Sequence, residues 1–355
     1  MAQNSAVRIV NTGDARIVDM PVPELPLEDY ILVKTTAVAI NPTDWKHVEM
    51  ANVFGCLNAQ VGCDYSGIVE KVGSAVSKPF QKGDRICGPV NGSNGSRLTD
   101  GSFAKFICVK GDLQIRTPET LTDEQAATLG IAVTTVGQGL YQNLGLSLPT
   151  DPMSKTSAPI LISGGSTAMG IFGIQYARLS GYTVVATSSP HNFDYLKSLG
   201  ADAVFDYSSP SCATDIKAYT GGQMTLAWDC QSSEESALLC AMALSDTQPC
   251  KIGTLMDVPG ENIKKVNPMV EIQSSLYYTV FGEPFTFIEE HPPVVDDFEF
   301  GKSFWELSKP LLANGKVQPV RITKNLGGSG LHGVLEGLRY LKEGKVSGGK
   351  LVYTI

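Results

Sequence analysis

Between residues 159 and 187 the chain runs, in fixed order, through a short apolar strand, a glycine-rich turn, a helix and a second apolar strand. Pro159-Ile160-Leu161-Ile162-Ser163 reads as the first strand, and Ser163-Gly164-Gly165-Ser166-Thr167-Ala168-Met169-Gly170 as the turn. A helix over Ile171–Leu179 and a strand over Thr183–Thr187 follow. Two parallel strands need such a crossover, so this stretch of ~30 residues commits its part of the chain to an α/β sheet. Glycines let the backbone turn sharply and approach a pyrophosphate, while a helix N-terminus offers unpaired N–H groups and a positive dipole end. A bare glycine string is a weak signal, and a tight strand-to-helix turn without a ligand carries the same letters. The order of the elements gives the dinucleotide reading its weight. Gly165, Ser166, Thr167 and Ala168 are its candidate contacts.

The alternation continues, with a helix over Asn192–Leu199 and strands at Ala203–Phe205, Thr225–Trp228 and Lys251–Leu255. Strands and helices at this spacing predict a doubly wound parallel sheet, a Rossmann domain. The end of its second strand selects between nicotinamide cofactors, because an acidic residue there accepts from the ribose 2′-OH of NAD. This chain has Thr187-Ser188-Ser189-Pro190-His191-Asn192 instead. No carboxylate repels a 2′-phosphate, and Ser188, Ser189, His191 and Asn192 can donate to one, so NADPH is the expected cofactor. Ser189-Pro190 also suits the start of a helix, and both roles can hold together. Tyr207, just past the third strand, and Thr254 and Leu255, at the end of the fifth, are further candidate cofactor contacts.

A length of 355 residues suggests more than one domain at ~150 residues each. Residues 1–125 alternate short apolar runs with glycine turns, as at Tyr30–Ala39, Tyr65–Val72, Asp84–Cys87 and Phe103–Val109, which predicts a β-rich domain. Thr122-Asp123-Glu124-Gln125 is a capping box that opens a helix. Pro149–Pro159, polar and Pro/Ser-bearing, suits a boundary, giving expected domains over 1–150, 151–290 and 291–355, the last a return to the first. Residues 256–300 carry no clear period, and Glu283–Phe300, mixing Pro with acidic residues, reads as surface loop. A helix over Phe304–Leu312 and a strand over Val317–Ile322 are expected near the end.

A net charge of −8 argues against a general nucleic-acid binder, which needs a basic face. No apolar run approaches the ~18 residues of a membrane span. Met1-Ala2-Gln3-Asn4-Ser5 opens no basic-then-apolar leader, so a cytoplasmic location is expected. The eight cysteines form no C-x-x-C pair and read as reduced core residues.

Taken in order, several segments resemble the medium-chain dehydrogenase/reductase superfamily across almost the whole chain. They are Gly62-Cys63-Asp64-Tyr65-Ser66-Gly67, Lys82-Gly83-Asp84-Arg85, Asp100-Gly101-Ser102-Phe103-Ala104, the glycine turn, and Gly344-Lys345-Val346-Ser347-Gly348-Gly349-Lys350. The resemblance implies a GroES-like β-rich catalytic domain with an inserted Rossmann domain. Zinc members of that superfamily use an early Cys, a Gly-His-Glu and a later Cys or Asp. Here Asn41-Pro42-Thr43-Asp44 and Gly62-Cys63-Asp64 stand in the first two places, so no metal is expected. Within the zinc-free branch, Ala39–Lys46 and Thr187–Asp194 are similar to the fungal trans-acting enoyl reductases. That resemblance implies reduction of an α,β-unsaturated thioester on the acyl carrier protein of a highly reducing polyketide synthase or polyketide–peptide synthetase, by a monomer, in secondary metabolism.

In such a reaction hydride adds to the β-carbon, charge collects on the thioester oxygen, and a proton goes to the α-carbon. No nucleophile is needed. Lys46 is the candidate catalytic residue by resemblance, with a surface lysine as its competing reading. Pro42, Asp44, Trp45 and His47 beside it, and Val346 and Ser347 near the end, are implied cofactor contacts. Gly130, Ile131, Ala132, Val133, Thr134, Thr135, Val136 and Gly137 suit a wall beside the acyl chain, although a plain packing helix reads the same. Ser274, Ser275, Leu276, Tyr277 and Tyr278 are the opposite wall. A zinc-free quinone or 2-alkenal reductase, and a cofactor-binding scaffold without catalysis, remain as alternatives.

Overall fold

The structure is a computed structural model describing residues 3–153 and 158–355. Met1 and Ala2, at the head of the segment read for a leader, and residues 154–157, inside the expected boundary Pro149–Pro159, lie outside the described residues. Two compact units divide the chain. The first takes Met1–Thr134, Tyr278–Gly315 and Pro319–Ile355, and the second Thr135–Tyr277 with Lys316–Gln318. The changes of unit thus fall after Thr134, Tyr277, Gly315 and Gln318.

The first unit is built on antiparallel strands, as the glycine-punctuated runs predict. Its larger sheet orders Ile322–Lys324, Lys350–Thr354, Tyr30–Ala39, Asp64–Val72, Arg85–Pro89 and Ile115–Arg116, with Phe106–Lys110 paired to Tyr30–Ala39. Register sets Ala39 opposite both Asp64 and Val352, so these three strand ends meet. Alternate β-branched and aromatic side chains bury Ile31, Val33, Tyr65, Val69, Phe103, Ile107 and Tyr353 in one core. The capping box forms as read: Thr122 Oγ1 accepts from the Gln125 amide at 3.2 Å, and Gln125 Oε1 from the Thr122 amide at 3.0 Å.

The second unit holds a six-stranded sheet, parallel throughout, in the order Ala203–Asp206, Thr183–Ser188, Pro159–Ser163, Leu226–Asp229, Cys250–Thr254 and Val270–Ser274. Numbered along the chain this is third, second, first, fourth, fifth, sixth, the Rossmann arrangement, which reverses direction between the first and fourth strands. Strands covered on both faces must be apolar throughout, and Ile160, Leu161, Ile162, Val184, Val185, Ala186 and Ile252 are fully buried. Helices follow at Ala168–Leu179, Phe193–Ser198, Cys212–Tyr219, Glu234–Ala243 and Glu261–Val266.

Three expectations need correction. The supposed loop Glu283–Phe300 contains a hairpin, Phe285–Phe287 with Glu289–His291, and the first turns of a helix spanning Val295–Ala313. Asp296 and Asp297 there stabilise the positive end of the helix rather than marking a loop, and Pro310 is tolerated inside it. The strand expected over Val317–Ile322 forms only as Ile322–Lys324. Val317 and Val320 are buried, which mimics a strand pattern, but Pro319 cannot donate to a ladder. The sixth parallel strand, Val270–Ser274, alternates buried and exposed positions as an edge strand does, unlike the runs that reveal its neighbours.

All eight cysteines are free thiols and all are buried. Burial raises the pKa of each. No helix among the described residues is long and apolar enough to cross a membrane.

Candidate functional site

In the second unit, the carboxyl ends of the parallel strands bring the sequence-predicted nucleotide residues together. The glycine turn is tied to the second strand, since Gly164 donates to Thr187 Oγ1 at 3.1 Å and Gly165 to the Thr187 carbonyl at 2.8 Å. Gly164 has a φ of +73°, a conformation that favours glycine. Thr167 caps the following helix, accepting from the Gly170 amide at 3.0 Å, and its own amide donates to Gly164 O at 2.9 Å. A helix leaves its first four amides without intrahelical partners. Two are thus satisfied, and those of Ala168 and Met169 remain for an anion. A Cβ on Gly170 would lie 2.4 Å from Gly164 O and 2.6 Å from Gly165 Cα, so helix and turn approach as closely as backbone permits.

At the end of the second strand the Ser188 hydroxyl is buried and has no hydrogen-bond partner. Ser189 donates to Tyr207 Oη at 3.3 Å, and Tyr207 is 56% exposed. Pro190 and His191 are exposed in the turn Pro190–Asn192. Asp206, beside Ser188 in register, spends one carboxylate oxygen on the Ser208 amide and hydroxyl at 2.9 and 2.7 Å. The Thr254 hydroxyl is a second buried group without a partner. Leu255 donates its amide to Ser232 Oγ at 2.7 Å. Ser275 is held by the Thr254 carbonyl at 3.1 Å and by Asn143 at 3.1 Å, and Leu276 O accepts from Gln138 at 3.4 Å. Orphaned hydroxyls, two open amides and a turn too tight for a Cβ together fit a dinucleotide.

The first unit holds the other group. Pro42–Glu49 is a helix whose N-cap is Asn41. Asp44 points inward at 1% exposure, one carboxylate oxygen accepting from the Asn41 amide at 2.7 Å and the other unpartnered. Burial, with repulsion from Asp64, pushes its carboxyl up to about 8. His47 is also buried, its ring centroid 4.8 Å from Phe54, 5.6 Å from Phe287 and 5.8 Å from Tyr278. Burial draws its imidazole down to about 4, so it is neutral at physiological pH. Tyr278 Oη lies 2.9 Å from Thr43 Oγ1 and 3.5 Å from His47 Nε2. Asp44 and His47 therefore organise their own helix, whereas Pro42 is exposed and Trp45 and Lys46 are half-buried. Lys46 Nζ sits 6.0 Å from the Trp45 ring centroid. Val346 is half-buried and Ser347 exposed.

The helix Gly130–Val136 continues as a wider-turned segment, Gly137–Asn143. Ala132, Val133 and Val136 are fully buried and pack, Thr134 accepts from Trp305 Nε1 at 3.1 Å, and Ile131 is half-buried.

One group went unread in the sequence. Lys350, 3% exposed, forms an ion pair with Asp64, which is fully buried. The same carboxylate accepts from Asn41 Nδ2 at 2.9 Å and from the Ile131 amide at 2.6 Å. Asn41, Asp64 and Lys350 each lie in a segment noted for its family likeness. Nothing in linear spacing joins positions 41, 64, 131 and 350.

The alcohol dehydrogenase GroES-like domain family matches residues 28–119, and the zinc-binding dehydrogenase family residues 168–275. The trans-enoyl reductase resD of Aspergillus sclerotiorum is 43% identical over 97% of this chain and 98% of its own length. The chain belongs to the fungal trans-enoyl reductases. A second member, TOXD of Cochliobolus carbonum, is 50% identical over 77% of this chain and 88% of its own. Among solved structures, the quinone oxidoreductase of Coxiella burnetii shares the fold with a TM-score of 0.72 and 21% identity over the whole of both chains.

A trans-enoyl reductase with these residues is a poor zinc ligand set, despite the description of the second matched family. Both oxygens of Asp64 are engaged by donors, Lys350 supplies the local positive charge, and burial holds the Cys63 thiol well above its ordinary pKa. Among the described residues no group of three or more His, Cys, Asp or Glu side chains converges.

Proposed function

We propose that this trans-enoyl reductase reduces the α,β-double bond of an enoyl thioester borne on the acyl carrier protein of a reducing polyketide synthase, with NADPH as hydride donor. The observation that carries the cofactor is the unpartnered Ser188 hydroxyl beside Ser189, His191 and Tyr207, at the end of a strand that itself carries no acidic residue, the adjoining Asp206 being engaged by Ser208. A carboxylate there would accept from a ribose hydroxyl; hydroxyls and an imidazole donate to a phosphate instead. Ala168 and Met169 would hold the pyrophosphate through their amides.

Bound there, NADPH supplies a hydride to the β-carbon. The chain's own task is to orient the thioester, keep water away and manage the charge gathering on the thioester oxygen. Lys46, half-buried beside Trp45, offers an ammonium for that oxygen or for the ribose. Ile131, the half-buried member of its helix, offers apolar surface for the acyl chain. The names of the relatives support a partner synthase, since a reductase acting in trans takes its substrate from another protein.

The deciding experiment follows cofactor consumption with NADPH or NADH against crotonyl-pantetheine and against 1,4-benzoquinone. Faster turnover of the thioester, with NADPH preferred by about 10-fold or more (~1.4 kcal/mol), is expected. A preference for the quinone would move the protein to free small molecules. Equal use of NADH would remove the phosphate role of Ser188 and its neighbours.

A further inference from the structure

Two segments assigned above to the reaction are far apart in sequence: the helix Pro42–Glu49, which carries Lys46, and the helix Gly130–Val136, which carries Ile131. One buried carboxylate joins them. Asp64 Oδ1 accepts from the Ile131 amide at 2.6 Å, at the first turn of the second helix, where a negative charge is favoured by the helix dipole. Asp64 Oδ2 accepts from the side chain of Asn41, the N-cap of the first helix, at 2.9 Å. The fit is close enough that a Cβ on Gly130 would lie 2.5 Å from Asp64 Oδ1.

The third partner explains why the carboxylate can be there. A lone ionised carboxylate in a dry interior is costly, and Lys350 from the C-terminal strand pairs with it while also reaching the Thr128 carbonyl at 3.3 Å. Thr128 lies two residues before the second helix, so the ammonium holds the approach to that helix as well as its capping group. Groups facing the pair are Asn41, Asp44, Cys63, Thr128 and Ile131.

We infer that Asp64, held by Lys350, is a positioning residue that sets the Lys46 helix and the Ile131 helix relative to one another for the reaction. The pair acts through its hydrogen bonds to Asn41 and Ile131. This rests on the proposed enoyl-reductase reading.

The test measures steady-state reduction of crotonyl-pantetheine by NADPH, melting temperature and amide exchange by mass spectrometry. Breaking a buried pair from one side strands a charge, so Asp64→Asn and Lys350→Met are combined. The double variant removes both charges, and its new amide opposes that of Asn41 with a donor instead of an acceptor. Expected are a fall in kcat of about 10-fold or more, little change in KM for NADPH, and faster exchange in peptides covering 41–50 and 128–137. Lys350→Arg, which keeps the charge, should recover most of kcat. Asn41→Ala removes one donor and is the milder variant should the double one fail to fold; it should lower kcat by about 3-fold or more. Wild-type kcat and exchange in the double variant, or in Asn41→Ala should the double variant not fold, would overturn the inference. Activity of the unaltered protein on crotonyl-pantetheine is measured alongside, so failure of the enoyl-reductase reading would show there and not in the variants.

Discussion

The two units spend polar groups in opposite ways. In the Rossmann unit the strands are largely apolar, and two hydroxyls without partners, Ser188 and Thr254, stand where strands end. Of its charged side chains Asp229 is buried among the described residues, satisfied by Ser236 at 2.5 Å and the Gln231 amide at 3.1 Å. The GroES-like unit instead buries Asp44, His47, Asp64, Asp100, Lys110, Asp112 and Lys350. One unit is a dry scaffold offering backbone and hydroxyls at its rim; the other carries titratable groups inside, some paired as Asp64 with Lys350 and some neutralised by burial as Asp44 and His47. The difference teaches that the first kind of site depends on backbone clearance and the second on charge balance.

That contrast can be broken at three strengths. The largest effect is expected for Gly170→Ala, whose Cβ meets backbone that cannot rotate away. Calorimetry should find NADPH binding weakened by about 100-fold, ~2.7 kcal/mol, and binding within about 3-fold of the wild type would mean the turn is not the cradle. Lys46→Ala should act on the other quantity. It is expected to lower kcat by about 30-fold with melting temperature unchanged, while NADPH affinity moves little. Near-normal kcat would strip Lys46 of its role.

The smallest effect is a pH slope in stability. Asp44, raised to about 8 from 3.8, binds a proton in the folded state that the unfolded chain releases, so its contribution is lost as pH rises toward 8. His47, lowered to about 4 from 6.5, works the other way, costing stability as pH falls from 6.5 to 4. The two oppose each other below about pH 6.5. Between about pH 6.5 and 8 Asp44 acts without that opposition, at roughly 1.4 kcal/mol per pH unit. Scanning calorimetry should show the melting temperature falling over that interval, and Asp44→Asn should flatten the fall. An unchanged slope in the variant would show that Asp44 is ionised in the folded protein.

How much could be read without coordinates follows the same division. The Rossmann unit announces itself because strands buried on both faces are continuous apolar runs, so five of its six strands were visible, and the edge strand Val270–Ser274 was not. The glycine turn and the hydroxyls past Thr187 were read from spacing alone, because they are local in sequence. In the GroES-like unit, the segment carrying Lys46 was found through its family likeness, but neither its helix nor the inward direction of Asp44 and His47 was. Whether a polar side chain faces in or out depends on what covers it, and Tyr278 and Phe287 come from distant segments. Lys350 is the extreme case: one lysine among 28 basic residues, distinguished only by its ion pair with Asp64, which lies two strands away in the same sheet.

The eight buried thiols have a practical consequence. With each sulfur shielded and held in its unreactive form, alkylating probes find little to attack on the folded protein. A single cysteine introduced on the surface would therefore be a selective handle. Placed position by position around the molecule, with a thiol-reactive crosslinker on a pantetheine arm, it would map where a partner delivers its cargo.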